Sequence, residues 1–119
     1  ERSFAHLASE VKAGVGGDAR FTYLPTSFLT AQKVAPWRDL PAWVPGEGDT
    51  AGFARMSTAR AQAAGLTYRP LRQTAADTLA WYQGLPEPRR SKLRSGLSAQ
   101  RETEVLAAWN AARTPGSAG

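Results

Sequence analysis

The sequence contains no cysteine and only one histidine, His6, among its 119 residues. Without thiols the chain can form neither disulfides nor thiolate metal sites, and a single imidazole is too few for a usual zinc site. One histidine on its own gives no sequence signature of a general base. We therefore predict no metal site and place His6 at the surface.

Long hydrophobic runs are also missing. No apolar stretch approaches the roughly 20 residues of a membrane span, and no pattern of a secretion signal opens the chain. Hydrophobic residues make up 42% of the composition, enough for one modest core at this length. We expect a soluble, cytoplasmic protein that does not bind membranes. Because the first residue is Glu1 and a helical pattern begins at once, we also expect a fragment or a processed chain.

The residues that are present alternate between helix signals and turn signals. Short alternating runs at 21–24 and 53–56 predict two brief strands. The helices are predicted from their caps and apolar spacing, and they begin near Ser3, Thr26, Ser57, Thr74 and Ser98. Gly65 should end the third helix in the left-handed conformation, and the last helix should end near Arg113.

A segment with three prolines and two tryptophans, residues 34–46, differs from the rest of the chain. Each proline removes a backbone donor and makes its predecessor extended, so the segment should be an ordered, irregular loop. Its rings, Trp37 and Trp43, must be covered by the local core or by a partner or ligand. Packing beneath the loop is the slightly favoured interpretation.

The only block of like charge is Arg89-Arg90-Ser91-Lys92-Leu93-Arg94, in a chain with 15 basic and 10 acidic residues. Four cations in six residues could neutralise phosphates, so the alternative function is a small basic module that binds nucleic acid through Arg89–Arg94. No nucleic-acid motif frames the block. We predict a solvated loop first and a phosphate-binding patch second.

Several of these segments together resemble the C-terminal part of extended short-chain dehydrogenases/reductases, the NAD-dependent epimerase/dehydratase family. The resemblance rests on the order of the short helix ending in Gly65-Leu66, the aromatic Tyr68, Pro70, and the helix containing Thr78-Leu79-Ala80-Trp81-Tyr82. The segments Pro36–Trp43 and Gly96–Trp109 are similar to a bacterial subgroup of these reductases, so the resemblance covers nearly the whole chain.

The resemblance implies a helix-dominated, mixed α/β C-terminal lobe with two or three short strands and no complete Rossmann sheet. The lobe would span residues 1–113, followed by a flexible tail over 114–119. It would bind substrate while a missing N-terminal cofactor domain, its main partner, binds NAD or NADP. The residues expected to face a small-molecule substrate are Trp37, Arg38, Asp39, Trp43 and Arg55, the last as the nearest analogue of a diphosphate-binding arginine.

The same resemblance predicts that this chain is inactive alone and holds no cofactor. A dinucleotide site needs a strand, a glycine turn and a helix N-terminus in that order. The one candidate, Gly14-Val15-Gly16-Gly17-Asp18-Ala19, follows a predicted helix, so we interpret it as a helix C-cap and turn. The family's proton relay uses a tyrosine and a lysine one helical turn apart, and no tyrosine here has a lysine four residues on. We predict no catalytic residue.

Overall fold

The computed structural model describes residues 3–114, and helices dominate this range. In order the helices are α1 (Phe4–Val15), α2 (Thr26–Ala31), α3 (Ala59–Ala63), α4 (Leu71–Gln83), α5 (Glu87–Arg90) and α6 (Ala99–Arg113), with 3-10 turns at Gly48–Thr50 and Phe53–Arg55. No helix among these residues is long and apolar enough to cross a membrane. The prediction of a helix-dominated chain is confirmed.

The chain divides into two compact units. Unit 1 comprises Glu1–Arg20 and Gly46–Leu93, and unit 2 comprises Phe21–Pro45 and Arg94–Gly119. The single lobe over residues 1–113 stays a prediction. Of the flexible tail predicted over 114–119, only Thr114 lies among the described residues.

Unit 1 is built on the packing of α1 against α4. The Ser3 hydroxyl caps α1 by accepting a 3.1 Å hydrogen bond from His6 N–H, as its position predicts. A Cβ on Gly14 would overlap the backbone carbonyl of Arg72, so the two helices approach closely only because Gly14 has no side chain. One turn earlier, Glu10 accepts two hydrogen bonds from the Arg72 guanidinium, at 2.9 and 3.0 Å.

Two shorter helices complete unit 1. Helix α3 ends at Ala63, and Gly65, just beyond its C-cap Ala64, has the left-handed conformation predicted for it, with a φ of 103°. Helix α5 is a single turn that follows Pro86 and was not predicted, although an acidic first residue such as Glu87 suits a helix N-terminus. The Tyr82 hydroxyl at the end of α4 donates a 2.8 Å hydrogen bond to the Arg90 carbonyl and so ties α5 to α4.

Unit 2 has a small core between α2 and α6, formed by Leu29, Val34 and Val105. Helix α2 ends in a pair of hydrogen bonds, from Lys33 N–H to Thr30 and from Val34 N–H to Leu29, which place Lys33 at a φ of 58°. This Schellman arrangement brings Val34 back onto Leu29, so the end of the helix also begins the core. The Ser98 hydroxyl caps α6 as predicted.

The two or three predicted strands are not confirmed among residues 3–114, where the only ladder contact is an isolated bridge between Pro36 and Leu40. Residues 21–24 form no ladder. A short strand needs a neighbour for its backbone groups, and side-chain alternation does not supply one. The run 53–56 was wrongly predicted as a strand, because Arg55 N–H instead bonds to the Gly52 carbonyl in a 3-10 turn.

The start of α4 also differs from the prediction. The helix begins at Leu71, directly after Pro70, and not after Thr74. Proline fixes its own φ and lacks the N–H that the first turn would leave unpaired, so Pro70 can precede a helix without a side-chain cap.

Candidate site in the tryptophan loop

The tryptophan loop, Val34–Pro45, carries four of the five predicted site residues and lies within unit 2. It contains no helix, as predicted. A 2.6 Å hydrogen bond from Arg38 N–H to the Pro36 carbonyl closes a three-residue turn around Trp37, whose φ is 63°. A γ-turn with a positive central φ is the rare and strained form. Trp37 is therefore held in a conformation that its bulky side chain disfavours.

The Asp39 carboxylate organises the loop. Its Oδ2 accepts hydrogen bonds from Ala35 N–H at 2.7 Å and from Arg38 Nη2 at 3.0 Å, and its Oδ1 accepts one from Arg38 Nε at 2.9 Å. The Arg38 hydrogen bond, followed by the Ala35 N–H, lowers the pKa of the Asp39 carboxyl to about 2, and the charge of Arg101 acts in the same direction. The same ion pair raises the pKa of Arg38.

The two charged side chains differ in exposure. Asp39 keeps 19% of its side chain exposed, whereas Arg38 keeps 70%. The carboxylate is thus mainly an internal anchor, and the guanidinium is oriented by it while most of its surface faces solvent. A bidentate pair of this geometry fixes the plane of the guanidinium.

The two tryptophans have different environments. Trp43 is half-buried and packs against the core of unit 2, while 53% of Trp37 is exposed. A 3.3 Å hydrogen bond from Trp37 N–H to the Trp43 carbonyl connects the two ends of the loop. Trp43 is therefore a structural residue of the loop, and Trp37 with Arg38 forms its accessible face.

Two residues that support this site were not identified from the sequence. Gly96 N–H donates a 2.7 Å hydrogen bond to the Arg38 carbonyl. Arg101, at the start of α6, donates at 2.6 Å to the Gln32 carbonyl at the C-terminal end of α2. Both contacts join segments that are far apart in the chain, and no local pattern distinguishes these residues from other surface glycines and arginines.

Arg55 and all but Arg94 of the basic block belong to unit 1, whereas the tryptophan loop belongs to unit 2. Arg55 lies in a 3-10 turn of unit 1, so the structure does not assign it to the site formed by the loop. Arg89 and Arg90 belong to α5, and Lys92 is exposed in the segment that follows. The block is therefore one helical turn with a short extension, whereas a loop was predicted.

The glycine cluster has the geometry of a helix end. Gly14 and Val15 belong to α1, and Gly16 is its left-handed C-cap with a φ of 66°. The predicted C-cap is confirmed, and this segment does not offer a dinucleotide the helix N-terminus that it needs. Among residues 3–114 no group of three or more histidine, aspartate or glutamate side chains is placed to hold a metal ion.

Comparison of the chain with protein-family models, with curated proteins and with solved structures finds no match.

Proposed function

We propose that this chain is the substrate-binding C-terminal lobe of an NAD(P)-dependent epimerase, dehydratase or reductase, and that it works in the cytoplasm together with a separate cofactor half. The order of motifs from Gly65 to Tyr82 motivates the family. The observation that carries the substrate-binding role is the exposed face of Trp37 and Arg38 on a strained turn. Strained backbone conformations cluster at functional sites, where binding benefits from groups that are already in place.

The chemistry of this face favours a small anionic or sugar-bearing substrate. An indole offers an apolar surface for stacking, and a guanidinium with a fixed plane offers paired donors to a phosphate or carboxylate. Asp39 and Trp43 act as positioning residues, since one orients the guanidinium and the other anchors the loop to the core. Arg55 remains a proposed substrate residue of unit 1.

The lobe supplies no group for hydride or proton transfer in this proposal. The glycine cluster at the end of α1 does not fit a pyrophosphate, so no step is assigned to a nicotinamide cofactor within this chain. We further propose that the predicted small sheet forms only in the complete protein, where residues 21–24 pair with a strand of the cofactor half. Phe21 and Tyr23 alternate in this segment, and both are exposed.

Sequencing the coding region immediately upstream of residue 1 tests the parentage. The expected result is an in-frame segment encoding a strand, a Gly-x-Gly-x-x-Gly turn and a helix. An upstream region without this unit overturns the proposal.

Calorimetric titration with NAD and NADP provides a second test. The protein joined to its upstream half should bind one of the two with a micromolar Kd, whereas the 119-residue chain should bind neither. Micromolar binding by the 119-residue chain would show that its glycine cluster had been misinterpreted.

A further inference from the structure

A groove of about 520 Å³ runs along α4 in unit 1. Its walls include Val11 and Val15 from α1, Leu71, Leu79 and Trp81 from α4, and Leu93 beyond α5. On α4 the lining positions recur every three or four residues, which is the spacing of one helical face. The groove is therefore an elongated apolar surface beside a helix pair.

The hydroxyl groups in the walls already make hydrogen bonds within the chain. The Thr78 hydroxyl donates to the Thr74 carbonyl at 2.7 Å, and the Thr74 hydroxyl accepts from Arg69 at 3.4 Å. The Tyr82 hydroxyl donates to the Arg90 carbonyl. Small-molecule sites combine apolar walls with a few convergent polar groups that orient the ligand. With its hydroxyl groups engaged, this groove fits the apolar face of a polypeptide better than a small polar molecule.

Three of the wall residues are exposed although they are large and apolar. The exposed fractions are 37% for Val11, 61% for Trp81 and 68% for Leu93. Adjoining hydrophobic residues with this exposure mark an interaction surface. An amphipathic helix that lies in such a groove buries residues of matching periodicity, which is a common form of recognition.

The charge at one end of the groove is positive. Arg89, Arg90 and Lys92 lie there, because Lys92 precedes the wall residue Leu93 and the Arg90 carbonyl contacts Tyr82. None of the three cations has an acidic partner among residues 3–114, and the buried Nε of Arg90 has no hydrogen-bond partner there. Glu87 is the only acidic residue of α5.

The acidic residues on α1 and α4, the helices that form the groove, already form ion pairs with arginines within the chain. Glu10 on α1 pairs with Arg72, and Asp77 on α4 pairs with Arg69 at 2.7 Å. The surplus positive charge next to Leu93 is therefore available to a partner. Electrostatic complementarity favours a partner with acidic side chains at the end that lies there.

We propose that this groove docks an amphipathic helix of the cofactor half, with an aliphatic face against Val11, Trp81 and Leu93 and acidic residues at the end near Lys92. The proposal rests on the proposed function, because it takes the partner from there. A second copy of the chain is a poorer occupant, since it would bring a further net charge of +5.

Binding of designed peptides to the full chain tests the surface. Three labelled peptides of about 18 residues, five helical turns, are compared by fluorescence anisotropy at physiological salt. Two share one Leu/Ala face and carry either glutamates or lysines at one end, and the third is a scrambled form of the glutamate peptide. We expect the glutamate peptide to bind at least about tenfold more tightly than the other two, a difference of about 1.4 kcal/mol.

Variants locate the binding site. Trp81→Ala and Leu93→Ser should each weaken the glutamate peptide at least about tenfold, and Lys92→Glu should reduce its advantage over the lysine peptide. Both apolar residues are largely exposed, so circular dichroism should show an unchanged fold. Met56→Ser, at an exposed apolar residue of unit 1 that is not among the groove walls, is the matched control and should leave peptide binding unchanged.

Equal binding of the glutamate and lysine peptides, or of the scrambled peptide, would overturn the proposal. Sedimentation experiments test the other occupant. If the chain self-associates and Leu93→Ser abolishes this association, the proposal is overturned and the groove belongs to a second copy. If the peptides fail to bind but a dinucleotide-binding unit is encoded upstream, the docking surface is rejected and the proposed function stands. If the glutamate peptide binds selectively but no such unit is encoded upstream, the proposed function and the cofactor half as partner are both rejected. The groove would then still bind an acidic amphipathic helix.

Discussion

Two reciprocal hydrogen bonds join Ala35 and Asp39 in the tryptophan loop. Ala35 N–H donates to the Asp39 carboxylate at 2.7 Å, and Asp39 N–H donates back to the Ala35 carbonyl at 3.0 Å. The three residues between them include Trp37, so this closed ring fixes the strained turn from both sides. The conformation of the exposed indole therefore depends on the carboxylate of Asp39, whose side chain is only 19% exposed.

Acid should weaken this loop in a defined pH range. The pKa of Asp39 is lowered from 3.8 to about 2 in the folded chain, so ionised Asp39 stabilises the fold. A lowered pKa means that this stabilisation is complete above about pH 3.8 and is lost as the pH falls towards about 2. Urea unfolding of the wild type and Asp39→Asn should give a stability difference that shrinks across this range. A difference that stays constant from pH 5 to about pH 2 would contradict the assignment.

Substitution of the two tryptophans should separate their roles. Trp43→Ala should lower the free energy of unfolding by somewhat less than the ~3–5 kcal/mol of a fully buried ring, because Trp43 is only half-buried. Trp37→Ala should be nearly neutral. Urea unfolding of both variants against the wild type measures the difference, and equal losses would contradict the division between anchor and exposed face.

A glycine at position 37 should be tolerated for a different reason. A bulky residue at a positive φ costs about 1–3 kcal/mol, whereas glycine costs about 0.5–1 kcal/mol through the entropy of the unfolded chain. Trp37→Gly should therefore be as stable as the wild type or more stable, as judged by its urea midpoint. A clear loss of stability would mean that the ring makes packing contacts that outweigh the strain.

Gly14→Ala should force α1 and α4 apart. The new Cβ would overlap the Arg72 carbonyl, and a backbone atom in a helix cannot move aside as a flexible side chain can. We expect a loss of about 1–3 kcal/mol, which exceeds the helix-propensity gain of up to about 1 kcal/mol. Gly52→Ala is the control, since Gly52 has a φ of −90° and open space around it. Thermal melts should show a lower Tm for Gly14→Ala only.

The features that the sequence predicts well are those that are decided locally. Ser3 and Ser98 cap their helices, and Gly65 adopts the left-handed conformation, because each depends on backbone groups only a few residues away. The strands at 21–24 and 53–56 could not be established in this way. A strand requires a partner, and the local alternative at 53–56, a 3-10 turn, satisfies the backbone without one.

The candidate site was predictable by residue type and not by arrangement. The prolines indicated an ordered loop with two tryptophans, but which ring packs inward depends on the reversal of the chain at Trp37. That reversal is stabilised by Asp39 and by the contact of Gly96 with the Arg38 carbonyl, which comes from the other segment of unit 2. Contacts between distant segments leave no periodic signal in a single sequence.

The basic block should attract nucleic acid only without specificity. Arg89, Arg90 and Lys92 can contact phosphates, but each contact releases counterions, so binding should fall steeply as salt is added. The Tyr82 hydroxyl is engaged by the Arg90 carbonyl, and Trp81 is better explained by the apolar groove that it lines than by base stacking.

Anisotropy with labelled single- and double-stranded DNA at low and physiological salt measures this attraction. We expect any affinity seen at low salt to be lost at physiological salt, because screened surface cations without stacked bases hold a strand only weakly. Replacement of Arg89, Arg90, Lys92 and Arg94 by alanine is the matched variant. Sub-micromolar affinity that survives physiological salt and disappears in this variant would make nucleic-acid binding the better function, because a solvated cluster cannot provide such affinity by counterion release alone.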